Sequence, residues 1–439
     1  MKGCKLYSVV ICLVISSVLT ELSAQNAFEM ITNNLYFSAS NYCIYPDSII
    51  SDMTAPPAGK KPFYISHYGR HGSRYLSNRK GYDIPYHVLA KADTLGKLTP
   101  KGKEVLHEIK TIREDTEGRW GDLSGLGKQQ QRNIARRMVE RFPEVFQGNA
   151  HVQARSSIVN RCILSMGSVV QQLLAMNPNL RIDIDATKNG MWYLNHQDNY
   201  LRSQMTTPIT QNAYDKFSAL RGRNPRLMQV LFNDSVYVKE QIDEKWLNYY
   251  LLKTALVQQN TSLGRNSRLI DYFSYEEIHN FWQCENAWWY FTYGPSPLNG
   301  GVQPYTQRFL LRRIIEQADS CIKLPDPGVQ LRFGHETVVL PLVCLLGING
   351  FDIQIEDLEL LEACGWWACL VFPMASNLQF VFYRQHPKDK DVLIKVLLNE
   401  RETSLPLPDD LAPYYRWKDF RKYYLRKLDA YEKRSEGKP

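Results

Sequence analysis

The 439 residues carry 53 lysines and arginines against 45 aspartates and glutamates, a formal charge of +8, and are 44% hydrophobic. That composition supports one large globular domain or two, and it excludes a disordered or fibrous chain. The positive excess favours anionic partners, but no basic tract, zinc spacing or aromatic-glycine RNA motif points to nucleic acid, so phosphate esters are the better class.

The N-terminus reads Met1-Lys2-Gly3-Cys4-Lys5, then runs apolar from Leu6 to Leu19, with Leu22-Ser23-Ala24 before Gln25. A secretory signal peptide over residues 1–24 is expected, which makes the mature protein secreted or periplasmic. No later run approaches the roughly 18 apolar residues of a span, so stable membrane insertion is not expected. The mature cysteines are Cys43, Cys162, Cys284, Cys321, Cys344, Cys364 and Cys369. Cys364 and Cys369 are close enough in sequence to pair, with buried free thiols the equal alternative.

Residues 25–62 open with a short helix and a polar loop. Phe63 to Tyr68 is an apolar, β-prone run, expected to turn at Gly69 and lead into a helix. Arg70 and Arg74 would then share one side of a first helical turn, with His71 between them and Gly72 leaving room for an approaching group. Helices are expected from Leu98-Thr-Pro-Lys-Gly102 to Ile112 and over Lys128 to Phe146, the latter with Ile134, Met138 and Phe142 at helical spacing. His151 to Ser157 reads as a strand and turn, Asn160 to Met176 as a helix, and Arg181 to Asp185 as a strand. Over residues 190–322 aromatics and helical periodicity dominate, which predicts an inserted, mostly α-helical cap with Trp282, Trp288 and Trp289 in its core. Gly328 to Phe333 then reads as a strand, Gly334-His335-Glu336 as a turn, and Thr337 to Leu346 as an apolar helix. Leu378 to Arg384 and Val392 to Leu398 read as a hairpin, and a basic helix follows Pro413. The expected fold is α/β, a mixed central sheet flanked by helices, with the phosphatase-like part split into residues 25–189 and 323–439 around the cap.

Three strand-to-turn sites carry the chemistry: Arg70 to Arg74, Arg155 to Arg161, and Gly334-His335-Glu336. Arginine forks at Arg70, Arg74 and Arg161, with His335, suit a tetrahedral dianion and the charge that develops on it, so no metal or other cofactor is expected. His71 can attack phosphorus and split one hard step into two. Glu336 is then placed to protonate the leaving alkoxide and to deprotonate the attacking water. His67, on the strand before the motif, is the supporting histidine to expect.

Arg-His-Gly-x-Arg followed much later by Gly-His-Glu resembles the histidine phosphatase superfamily, in its acid phosphatase and phytase branch. The resemblance implies His71 as nucleophile, Glu336 as proton donor, and Arg70, Arg74, Arg161 and His335 as the phosphate pocket. Met374-Ala-Ser-Asn-Leu378, Val396-Leu-Leu-Asn-Glu400, Gly121 to Gly127 and Arg141-Phe-Pro143 resemble the multiple inositol polyphosphate phosphatases more closely. That family carries His-Ala-Glu where this chain has His335-Glu336-Thr337. Glu336 stands either as an aspartate substitute one methylene longer or, with a small backbone shift, at the family's glutamate position. The activity implied is hydrolysis of inositol polyphosphates such as phytate through a phosphohistidine. The alternatives are a broad acid phosphatase acting on sugar phosphates or nucleotides, and a catalytically inactive phosphate-binding homologue. The cations Lys60, Lys61, Arg79 and Lys80 near the motif favour the inositol polyphosphate.

Overall fold

A computed structural model describes residues 26–46, 53–196 and 198–435. The expected leader, residues 1–24, lies outside the described residues. The strands are β1 (Lys61–Arg70), β2 (His151–Ser156), β3 (Arg181–Asp185), β4 (Gly328–Gly334), β5 (Asn377–Arg384), β6 (Leu393–Leu398), β7 (Arg401–Glu402) and β8 (Tyr414–Arg416). They form one sheet in the order β3-β2-β4-β1-β5-β6-β7, with β8 also pairing β6. β1, β2, β3 and β4 run parallel, whereas β5 is antiparallel to both β1 and β6.

Helices cover both faces, so the inner strands read as continuous apolar runs rather than alternating ones. α1 (Gly125–Arg141) and α2 (Asn160–Met176) pack on Ile65, Val152, Leu331, Phe333 and Val381. α3 (Arg308–Cys321), α4 (Glu336–Leu346) and α5 (Trp417–Ser435) pack on Tyr64, Tyr68, Phe380, Phe382 and Val396. Phe380 and Phe382 are fully buried, and each contributes about 2–3 kcal/mol of hydrophobic stabilisation.

Residues 190–322 are helical wherever they are regular, and contain no strand among the described residues. Their helices Glu244–Val257 and Tyr275–Tyr293 share an apolar core with Lys80–Thr94, Pro100–Asp115 and the N-terminal segment around Ile31 to Cys43. Trp282 is in that core, as expected, whereas Trp289 packs with the sheet-side helices instead.

Several local expectations give way to tertiary pairing. β1 does not turn at Gly69 but continues to Arg70, because Gly69 pairs with Phe333 on one side and Asn377 on the other. No helix follows it directly; the next begins at Lys80, and Arg74 instead bridges Leu123. Glu336 is not in a turn but is the first residue of α4, with His335 as its N-cap residue. α1 stops at Arg141 because Pro143 lacks an N–H and disfavours helix before it; Pro143 to Phe146 form a separate 3-10 turn. Gly72 makes room for the backbone of Gly127 rather than for a ligand: a Cβ there would collide with the Gly127 carbonyl. Cys364 is exposed, Cys369 is buried, and neither is in a disulfide.

Candidate active site

Three parallel strands end side by side, with Arg70 opposite Gly334 and Phe333 opposite Ser156. The residues that follow, His71, His335 and Ser157, therefore leave the sheet at one carboxyl edge, where open α/β sheets place ligands. The loop before β5 borders the same edge: Arg70 N–H donates to Ser376 O at 2.7 Å and Ala375 N–H to His71 O at 3.0 Å.

His71 is fully buried. Its Nδ1 lies 2.9 Å from Gly72 O; a carbonyl only accepts, so Nδ1 carries the proton. Nε2 is left with its lone pair, without a hydrogen-bond partner, and 3.5 Å from Glu336 Oε2. Burial pushes the imidazole pKa well below its usual value; Arg70 and Arg74 reinforce this against the opposing pull of Glu336. The ring is a neutral nucleophile far into the acid range.

The arginines are anchored at one end and open at the other. Arg70 Nη1 donates to Asn41 O at 2.7 Å and Phe372 O at 2.6 Å, while Nη2 has no partner. Arg74 Nη1 donates to Tyr42 Oη and Tyr75 O, each at 2.9 Å, and its guanidinium lies 4.9 Å from the Tyr42 ring centre. Arg161, in the first turn of α2, lies beside Gly121 and keeps a buried Nε unpartnered. Burial and then the like charge of Arg74 lower its pKa.

Glu336 sits among these cations. Its carboxylate is 3.0 Å from Arg70 Nε and 3.6 Å from Arg74 Nη2, and it accepts from Asn41 Nδ2 at 3.0 Å. Burial favours the acid form, but the Arg70 guanidinium, with Arg74 adding to it, holds the carboxyl well below the usual range. In the ligand-free site it is ionised. The His335 ring meets His71 edge-on at 5.6 Å, with Nε2 3.3 Å from Ser157 Oγ and 3.7 Å from Cys162 Sγ. Burial above all, opposed by Glu336 and helped by Arg161, Arg74 and Arg70, brings its pKa down to about 4.

A nitrogen of each histidine and an oxygen of Glu336 lie within 4.8 Å of one another, a spacing that could hold a metal ion. Three guanidiniums around that trio make the field positive, and Arg70 Nη2, Arg74 Nε and Arg161 Nε are buried donors without acceptors. A tetrahedral oxyanion satisfies both conditions and a cation satisfies neither.

All six expected site residues thus converge from the ends of three strands. His67 does not join them: it lies inside β1, four residues before His71, its ring 5.5 Å from that of Phe333. Lys60 precedes the opposite end of β1, roughly 36 Å from His71 along an extended strand, and is bound to Asp389 and Asp391. Arg79 pairs with Asp83. The sequence reading missed Asn41, Tyr42, Ser157 and Cys162. Ser157 was legible in the Arg155–Arg161 stretch, but Asn41 and Tyr42 are hundreds of residues from Glu336 and carry no motif.

The family described as histidine phosphatase superfamily (branch 2) matches residues 69–399. The chain belongs to that family. No curated protein sequence matches it significantly. This histidine phosphatase is similar in fold to the Bifidobacterium longum multiple inositol polyphosphate phosphatase in complex with inositol hexasulfate, with a TM-score of 0.76 at 16% identity, covering 88% of this chain and 97% of that one. The phosphate complex of the same enzyme gives 0.76 at 16% identity over 89% and 98%. The phytase from D. castellii gives 0.63 at 13% identity, over 90% of this chain and 85% of that one. The mixed sheet with helices on both faces is therefore that of a histidine-type phosphatase.

Proposed function

We propose that this phosphatase hydrolyses inositol polyphosphates, phytate first among them, without a metal and through a phosphohistidine on His71, and that it is exported after loss of the leader. The observation that carries the reading is a buried His71 Nε2 without a hydrogen-bond partner in the same site as buried, unpartnered guanidinium nitrogens of Arg70, Arg74 and Arg161. The Bifidobacterium longum enzyme, crystallised with inositol hexasulfate and with phosphate, supports the substrate class. Leu6 to Leu19 followed by Leu22-Ser23-Ala24 supports export.

The steps follow from the residues. Phosphoryl oxygens take the free N–H groups of Arg70, Arg74 and Arg161 and bond to His335. Nε2 of His71 attacks phosphorus, the P–O bond to the inositol carbon's oxygen breaks, and the imidazolium charge is met by Gly72 O at Nδ1. Glu336 must supply a proton to the leaving alkoxide, yet it is ionised in the free site. A phosphate monoester carries its second proton below about pH 6. On binding it takes over the arginines that held Glu336 and sets negative charge beside it, and both effects raise the carboxyl's proton affinity. The proton passes from the incoming monoanion to Glu336 and on to the alkoxide. The carboxylate then takes a proton from water as that water attacks the phosphohistidine and the P–N bond breaks; the proton passes on to the product, which leaves as dihydrogen phosphate and returns Glu336 to its ionised form and His71 to neutral imidazole.

Phytate hydrolysis in excess EDTA tests the metal-free reading: turnover should stay within twofold of the untreated enzyme, and a loss restored by added divalent cation would overturn it. Release of phosphate from aryl phosphates but not from phytate would instead make this a broad acid phosphatase. Glu336→Gln should lower kcat on phytate by roughly 10²–10⁴-fold, while the burst of nitrophenol from para-nitrophenyl phosphate, whose leaving group needs no proton, stays near the wild-type rate. Equal losses on both esters would remove Glu336 from the donor role.

A further inference from the structure

Asn41 is a buried polar side chain that touches Glu336 and has no part in the steps above. It is the next-to-last residue of the 3-10 stretch Leu35–Tyr42 and is 7% exposed. Its Nδ2 donates to Glu336 Oε1 at 3.0 Å, whereas its Oδ1 is buried without a partner. We propose that Asn41 is the positioning residue of the proton donor, holding the Glu336 carboxyl toward the ester oxygen in both of its protonation states. The inference rests on the reading of Glu336 as donor.

The chemistry is that of a primary amide, which has a donor and an acceptor on one planar group. With Glu336 ionised, the amide N–H bonds Oε1 and the amide oxygen finds no hydrogen to accept. With Glu336 protonated, a half-turn of the same amide lets Oδ1 accept from the acid O–H. The contact therefore persists through the proton's arrival and departure, and the unmatched acceptor of the resting site is matched when the acid forms. A residue that only donates, or only accepts, cannot follow both states.

The backbone is built to present this side chain. Ser40, buried and not glycine, is held at φ 53° and ψ −119°, a sparsely populated conformation that persists only where surroundings impose it. They do so here. Cys43 N–H bonds Ser40 O at 3.1 Å, Asn260 Nδ2 bonds Tyr42 O at 2.7 Å, and Met374 N–H bonds Cys43 O at 2.8 Å. Asn41 O meanwhile receives Arg70 Nη1 at 2.7 Å. That bond is to the main chain, so changing the Asn41 side chain leaves the Arg70 anchor in place.

The test compares Asn41→Ala and Asn41→Asp with wild type and Glu336→Gln, on phytate in steady state and on para-nitrophenyl phosphate by the nitrophenol burst. Both Asn41 variants should lose roughly 10- to 100-fold in kcat on phytate, with KM within about threefold and the burst rate near wild type. Asn41→Asp is isosteric, so it keeps the packing if alanine disturbs it, and thermal melts of both report whether it does. Equal losses on the two esters, a KM rise without loss of kcat, or wild-type rates on phytate would each overturn the inference. If Glu336→Gln shows the leaving-group bias and the Asn41 variants do not, this inference alone falls. If Glu336→Gln lacks the bias, the donor assignment fails first.

Discussion

His71→Ala should lower phosphate release by roughly 10⁴-fold or more on phytate and aryl phosphates alike, since the covalent route loses its nucleophile. An acid-labile phosphoprotein, trapped from wild type by rapid quench, should be absent from the variant. Binding of inorganic phosphate should survive within a few fold. Arg70 is held by Asn41 O and Phe372 O, and Arg74 by Tyr42 and Tyr75 O, none of which is His71. That separation of chemistry from binding distinguishes an enzyme from a phosphate-binding homologue, for which the same substitution would change affinity alone. Turnover within tenfold of wild type, or a phosphoprotein that persists, would end the assignment. The leaving-group pattern separates the two central residues: His71→Ala fails on every ester at the first step, whereas Glu336→Gln spares the nitrophenol burst and slows phosphoryl transfer only where the departing oxygen needs a proton.

Acid should destabilise the ligand-free protein strongly, and phosphate should reverse part of the loss. Burial, with Arg332 adding to it, brings His67 down to about 3; burial with the surrounding guanidiniums brings His335 to about 4 and pushes His71 well below its usual value. Unfolded, each titrates near pH 6.5. Below that pH the unfolded chain binds protons that the folded chain refuses, so stability falls as pH falls. The window opens near pH 6.5 and runs to about 4 for His335 and about 3 for His67. At pH 4.5, His67 and His335 would each remove about 2–3 kcal/mol of stability. Glu336 acts in the same direction but below the range of the melts: its folded pKa is depressed, so its contribution is complete above the unfolded carboxyl value of about 4.3 and fades only below it. Thermal melts from pH 7 to pH 4.5 should show a steep drop. Sulfate or phosphate should recover the share of His71 and His335, whose charged forms an anion in the pocket favours. The share of His67, which packs on Phe333 inside the sheet and is shifted by burial and Arg332, should remain. A melting temperature flat across this range, or full recovery with anion, would contradict the burial of three neutral imidazoles.

Much of the site was legible because its parts are short and local. Arg70, His71 and Arg74 lie within five residues, and His335 and Glu336 are adjacent, each set after an apolar run that could only be an inner strand. What failed was inference from single punctuating residues. Gly69 reads as a turn, yet a central strand gains hydrogen-bonded partners on both sides, and that pairing outweighs the glycine's weak preference. Gly334 behaves likewise, carrying β4 one residue past Phe333. Gly72 reads as clearance for a ligand and is clearance for Gly127. The cations nearest the motif in sequence misled for a related reason: Lys60 and His71 flank opposite ends of β1, and a strand separates its ends more than any other element of equal length.

The sequence by itself determined the chemical inventory of this protein: three arginines, two histidines and one carboxylate at strand ends, on a chain of α/β character. Those are properties of residue type and local period, which neighbours along the chain suffice to set. Only the tertiary structure decided how the inventory is used. Parallel pairing of β2, β4 and β1 aligns three distant strand ends at one edge. Burial then strips water from His71 and leaves Nε2 bare, and the N-terminal segment brings Asn41 against Glu336 across nearly the whole chain. Desolvation and long-range contact depend on what surrounds a residue in space, and no local pattern encodes that.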